Sequence, residues 1–127
     1  MEYLLDTHTF LWFIGGNNDL SQQAKTIIQK PENTMYLSIA SFWEIAIKLN
    51  IGKLTIDIPF TELKTEADNN DFRLLPVQYE DTHVLTKLEL FHKDPFDRIL
   101  IAQAIQNNLT VITKDANFET YPIKMIW

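Results

Sequence analysis

The chain predicts an α/β fold with a mostly parallel central sheet, on three observations. Short apolar runs of strand character alternate with longer helical segments from one end to the other. No linker, repeat or low-complexity stretch breaks that alternation, and 127 residues suit one core, so residues 1–127 are expected to form a single domain. With 46% hydrophobic and 12% aromatic residues, the sequence has ample core material and lies far from a disordered composition. Strands separated by helices pair in parallel, because parallel neighbours need crossover connections, and helices then cover both faces of the sheet.

"YLLD" (3–6) is a short apolar run ending in an acid, and "THTFLWFIGG" after it reads as a helix stopped by its glycines. "LSQQAKTIIQK" (20–30) has Ser21 as N-cap and Ala24, Ile27 and Ile28 on one face, before Pro31 ends it. "TMYLS" (34–38) is the second strand, leading into the helix "IASFWEIAIKLNIGK", closed by Gly52. After "LTIDIP", a polar helix around 60–70 precedes a third strand, "FRLLPV" (72–77). A shorter helix is expected near 80–91, then one from "DPFDR" to Asn107, the strand "LTVIT" (109–113), and a last strand in "IKMIW".

Composition narrows the chemistry. No cysteine is present, so disulfides and thiolate metal sites are excluded and any metal must be held by oxygen or imidazole. Three scattered histidines make a zinc cage a poor fit. No apolar run approaches the ~20 residues of a bilayer crossing, and "MEYLLDTHTF" lacks the basic start of a signal peptide; a cytoplasmic protein without a membrane segment is expected. A net charge of -6 argues against coating nucleic acid through a general positive field. If Asp6, Glu44, Asp94, Asp97 and Asp115 gather around a cation, removing those five negative charges from -6 leaves -1, so nucleic acid stays open as a transient substrate.

In parallel sheets, ligands sit beyond the carboxyl ends of the strands, and the acids fall there. Asp6 closes the first strand; it is either an N-cap bonding to Thr9 or a ligand. Asp115, after "LTVIT", has the same choice between cap or turn and site. Glu44 is the lone acid between Glu32 and Asp57. Ser41 and Glu44 fit a capping box, yet a helix starting at Ser38 would leave Glu44 inside an apolar helix, in need of a partner or a metal. In "DPFDR", Asp94 with Pro95 reads as a helix start, whereas the stripe of Ile101 and Ala104 turns Asp97 inward. Two bare carboxylates about 4 Å apart repel by roughly 4 kcal/mol at an effective dielectric near 20. A hard divalent ion removes that penalty, and an all-oxygen set selects Mg²⁺ or Mn²⁺, suited to hydrolysing a phosphodiester.

Asp6 after an apolar strand, Glu44 in "SFWEIAIK", Asp97 in "DPFDRILIAQA" and Asp115 in "TKDANF" together resemble the PIN-domain nucleases, particularly the VapC toxins of bacterial type II toxin–antitoxin pairs. The similarity covers essentially the whole chain, including "LDTHTFLW", "NIGKL" and "YPIKMIW". It implies a three-layer α/β/α sandwich, Mg²⁺- or Mn²⁺-dependent endoribonuclease activity on RNA, a homodimer, and a cognate antitoxin whose tail occupies the site. It carries Asp6, Glu44 and Asp97 over as the three central acids and Asp115 as a fourth. Asp97 aligns in place of Asp94 because it stands five residues before Ala102. Thr113 matches a small hydroxyl residue at the end of its strand.

Arg98 and Lys48 lie beside the acids and either hold the scissile phosphate or form ion pairs, the second being the commoner use. Lys114 is similar. His8, His83 and His92 show no ligand spacing, which favours exposure or structural hydrogen bonding over RNA contact. "FLWF" (10–13) and "FW" (42–43) could stack bases, but their helical spacing favours core or subunit contact. Two other function classes remain at this level: a phospho-acceptor signalling module, and a catalytically inactive RNA- or protein-binding domain. The first usually places an acidic pair after strand one and an acceptor Asp after strand three, and this chain has neither.

Overall fold

Strands alternate with helices, except that only a 3-10 turn, Ala116–Phe118, separates the last two strands, in a computed structural model that describes all of Met1–Trp127. The strands are β1 (Glu2–Leu5), β2 (Thr34–Ser38), β3 (Arg73–Leu75), β4 (Thr110–Ile112) and β5 (Met125–Ile126). The helices are α1 (Thr7–Gly15), α2 (Gln22–Gln29), α3 (Ile39–Asn50), α4 (Leu63–Asn69), α5 (Tyr79–Thr86) and α6 (Pro95–Asn107). The sheet runs β3-β2-β1-β4-β5, and all its pairings are parallel, the last strand included.

Strand alternation sends successive side chains to opposite faces, and two half-cores result. Tyr3, Leu5, Met35, Leu37 and Ile112 pack against Phe10 of α1, Ala24 and Ile28 of α2, Ile45 of α3, and Leu63 and Ala67 of α4. Leu4 and Val111 face the other way, onto Leu100, Ile101 and Ala104 of α6, with Leu109, Phe118 and Tyr121. Helices thus lie on both faces of one sheet, the α/β/α sandwich.

Helix starts follow their caps. The Ser21 hydroxyl accepts from the Ala24 amide at 3.0 Å, and the buried Ser38 hydroxyl accepts from Ala40 at 3.0 Å. Because Ser38 caps α3, that helix begins before Ser41, the capping box at Ser41 is not made, and Glu44 sits inside the helix. Ser38→Ala should cost about 1 kcal/mol, lowering the melting temperature by roughly 3–5 °C. An unchanged thermal midpoint would show that the cap contributes nothing.

Two boundaries differ from the sequence pattern. β3 stops at Leu75 because Pro76 has no N–H to continue the ladder. α5 ends at Thr86, short of residue 91, because the Leu88 and Glu89 carbonyls turn to the Arg98 guanidinium (3.2 and 2.8 Å). The chain from there must reach Asp94 in an extended conformation, as a residue before proline prefers.

Candidate active site

β2, β1 and β4 are adjacent and parallel, so the residues at or just past their carboxyl ends are neighbours at one edge: Ser38, Asp6 and Thr113. The α1 start is tied to β4 there, since the Asp6 amide and the Thr9 hydroxyl both donate to the Ile112 carbonyl (3.2 and 2.9 Å). α6 precedes β4 in the chain and runs back along the sheet, which brings its N-terminus to the same edge.

Asp6 is both a cap and a member of this edge. One carboxylate oxygen accepts from the Thr9 amide at 2.7 Å, and the other accepts from the Thr113 hydroxyl. Only 6% of the residue is exposed, and that burial pushes its carboxyl up while the Thr113 and Thr9 bonds pull it down. Thr113 in turn accepts from the Asp115 amide at 3.0 Å, so one hydroxyl joins Asp6 to Asp115. Asp115 itself caps the short 3-10 turn Ala116–Phe118 through the Asn117 amide at 2.9 Å.

Glu44 is 3% exposed and has found partners: the Lys48 ammonium at 2.6 Å and the Thr7 hydroxyl at 2.8 Å. Lys48 therefore forms an ion pair one helical turn along α3. Asp94 starts α6, accepting from the Phe96 and Asp97 amides at 2.9 and 3.1 Å, with Pro95 in the first helical position. Asp97, one turn further in, is largely covered and has the His92 ring at 3.1 Å.

The electrostatics of Asp97 report what surrounds it. Its carboxyl is pushed up to about 7, first by burial, then by the negative charge of Asp94, and further by Asp115 and Glu44, against the pull of the His92 hydrogen bond. Acids from α3, the α6 start and the turn after β4 thus act on one carboxyl. The donor set is all oxygen, which suits a hard divalent cation. As the side chains stand, no three of the acidic or histidine groups are arranged to ligate a single ion. Glu44 is drawn aside by Lys48 and Thr7, and Asp115 by its own cap, so these two would have to swing in.

A family model of the PIN domain matches residues 3–124. The chain belongs to the PIN-domain family. PIN domains are nucleases as a family, and the edge just described is where this one gathers its acids. Comparison with curated proteins by sequence finds none that matches. Among solved structures, this PIN domain is similar to VapBC-1 from nontypeable Haemophilus influenzae (TM-score 0.72, 15% identity, 99% of this chain and 97% of that one). It is also similar to VapBC2 from Rickettsia felis, bound to a DNA fragment from their promoter (0.71, 15%, 99% and 98%). VapBC-5 from Mycobacterium tuberculosis, of the VapBC family of toxin–antitoxin systems, follows at 0.64 and 20%, covering 98% and 97%. At these identities the likeness is one of fold.

The remaining residues of this PIN domain divide plainly. The ion pair expected of Arg98 is not formed: its guanidinium goes to the carbonyls of Leu88 and Glu89 and to the Tyr121 hydroxyl at 2.9 Å. Lys114 lies over the Trp12 ring, 5.6 Å from its centroid, and Trp12 meets Trp127 edge to face. His8 tilts against Trp12. Of the aromatic stretches, Phe10 and Phe42 pack together in the core, whereas Trp43 is 63% exposed and touches Phe96. His92 and Tyr121 are the site-adjacent residues that local pattern does not single out. His92 stands two residues before a helix cap, which is a weak signal, and Tyr121 carries none.

A pH dependence follows with a definite sign. A carboxyl raised to about 7 in the fold and near 3.9 in the unfolded chain binds more protons when folded, so between those values stability falls as pH rises. Without metal, the protein should therefore melt higher near pH 5 than near pH 8, and Asp97→Asn should flatten that difference. A melting temperature rising over the same window would show that Asp97 is not so perturbed.

Proposed function

We propose that this PIN domain is a Mg²⁺- or Mn²⁺-dependent endoribonuclease, the toxin of a type II toxin–antitoxin pair, acting as one domain over residues 1–127 in the cytoplasm. The observation that carries the reading is the perturbed Asp97, whose carboxyl bears the charge of Asp94, Asp115 and Glu44 at the carboxyl edge of a parallel sheet. Folding alone does not favour such a gathering, since each close pair costs on the order of kcal/mol, and a divalent ion would add attractions that outweigh those repulsions.

Asp6, Glu44, Asp97 and Asp115 would hold the ion. When bound, it supplies a more acidic water and charge stabilisation at a phosphodiester. The protein's own contribution is positional. Thr113 ties Asp6 to the Asp115 backbone, Thr7 and Lys48 hold Glu44 in reserve beside the site, and Lys48 offers a cation beside an approaching phosphate. The toxin role and an antitoxin partner are supported by the likeness to structures of toxin–antitoxin systems. A homodimer is supported by α3 and its C-cap, which leave Ile39, Trp43, Ile47 and Ile51 exposed at four-residue spacing; a stripe of that kind is self-complementary about a two-fold axis.

Purified protein incubated with structured RNA and Mn²⁺ tests the activity, with Asp6→Asn as the control. Asn caps a helix as well as Asp, so this variant keeps the α1 start while removing the charge and the second acceptor oxygen, the one the Thr113 hydroxyl uses. Cleavage by the wild type, abolished by a chelator and by Asp6→Asn, is the expected result; equal cleavage by both proteins would overturn the reading. A Mn²⁺ titration separates the inactive alternative, because an ion that binds only the folded state raises the melting temperature. The receiver alternative fits poorly, because β3 ends at Leu75 and passes into Pro76 with no acceptor acid.

A further inference from the structure

The His92 ring bridges two side chains distant in sequence. Its Nδ1 lies 2.8 Å from the Tyr121 hydroxyl and its Nε2 lies 3.1 Å from Asp97 Oδ2. Tyr121 is buried in the half-core under α6, and its hydroxyl is also approached by the Arg98 guanidinium at 2.9 Å and by the His92 backbone amide at 3.3 Å. Arg98 is held as well by the Glu89 carbonyl, through the same Nη1, and by the Leu88 carbonyl through Nη2.

The roles in this cluster can be assigned by counting protons. A phenol oxygen has two lone pairs and one hydrogen. Guanidinium and backbone amide groups can only donate, so together they occupy both lone pairs of Tyr121. The phenol hydrogen is then left for His92 Nδ1, which must accept it. An imidazole accepting at Nδ1 carries its hydrogen on Nε2, and that hydrogen points at Asp97.

We infer that Arg98 and Tyr121 hold His92 in the tautomer that donates to Asp97 Oδ2, making Tyr121 and His92 positioning residues for Asp97. The donors run in one sense, Arg98 to Tyr121 to His92 to Asp97, so each bond polarises the next. The carboxylate is thereby held at one oxygen, Oδ2, which limits its rotation. A neutral ring also performs this task without placing a positive charge where a cation would sit. The inference rests on the reading of Asp97 as a metal-site acid; a ligand's hydrogen-bond partners commonly govern its orientation and the affinity of the site.

Two measurements test it on the full chain. Nitrogen-15 NMR of the imidazoles near neutral pH, with His8 and His83 as internal comparisons, should show His92 with its hydrogen on Nε2, and Tyr121→Phe should mix the tautomers. A hydrogen on Nδ1 of His92 in the wild type overturns the assignment. For Mn²⁺ binding by calorimetry, His92→Leu should weaken affinity by about 10–100-fold, while His92→Gln, whose amide reaches as far as Nε2, should recover most of it. Equal affinity in the wild type and both variants overturns the positioning role while leaving the nuclease reading intact. A wild type that neither binds Mn²⁺ nor cleaves RNA overturns the nuclease reading, and the positioning role with it, even if the tautomer is as assigned.

Discussion

Asp97→Asn is expected to lower metal-dependent RNA cleavage by about 1,000-fold or more, the rate equivalent of losing several kcal/mol of charge stabilisation at 1.36 kcal/mol per tenfold. The neighbouring acid should behave differently. Asp94 spends one oxygen on the Phe96 and Asp97 amides, which is the work of a helix cap. Asn caps as well as Asp, so Asp94→Asn should keep both the fold and most of the cleavage, while Asp94→Ala should cost about 1 kcal/mol of stability. Parallel cleavage assays and thermal melts of the three variants read this out. If Asp94→Asn were as inactive as Asp97→Asn, the division of labour on α6 would be wrong. A reversal, with Asp94→Asn inactive and Asp97→Asn active, would move the site along the helix.

Phe10→Ala is expected to have the largest effect on folding. Phe10 is fully buried on α1 and meets Phe42 of α3 and Phe72 beside β3 edge to face, with centroids 6.0 and 6.1 Å apart. Truncating a buried phenylalanine costs about 3–5 kcal/mol, and a domain's whole stability is about 5–15 kcal/mol. The variant should unfold at much lower denaturant concentration with an unchanged slope. Because α1 starts at Asp6, the site should lose order in the same transition. A loss below about 1 kcal/mol would mean the aromatic cluster repacks around the gap.

The fold was legible because its signals are local. The caps at Asp6, Ser21 and Asp94 precede their helices by one residue, and strand alternation alone separates Tyr3 and Leu5 from Leu4. The acids were legible as candidates because a carboxylate after a strand, or inside an apolar helix like Glu44, is unusual on local grounds. Choices between neighbours were not settled in that way. Whether Ser38 or Ser41 starts α3 depends on where β2 stops, and β2 stops where its pairing with β1 and β3 does. The early end of α5 was hidden for a related reason, since it depends on Arg98, a residue of the next helix. Arg98 misled as well, because a cation beside acids suggests an ion pair, while carbonyls and a phenol 23 residues away take it instead. The contact of His92 with Tyr121, 29 residues apart, has no periodic trace at all.

The central place of β1 sets the order in which the molecule can be made. One side of β1 pairs with β2 once residue 38 has been synthesised, but its other side waits for Thr110, Val111 and Ile112. Asp6 and Thr113, 107 residues apart, can meet only after that. A chain still growing on the ribosome therefore carries an open sheet and no assembled acid edge until Thr113 has been made, and closure over so long a separation is slow. Chains truncated before Thr110 should be readily cut by protease and unable to cleave RNA. Protease resistance in such a fragment would show that β1 needs no second neighbour. Assembly of the acid edge is on these terms tied to the arrival of β4, however early Asp6 and Glu44 have been made.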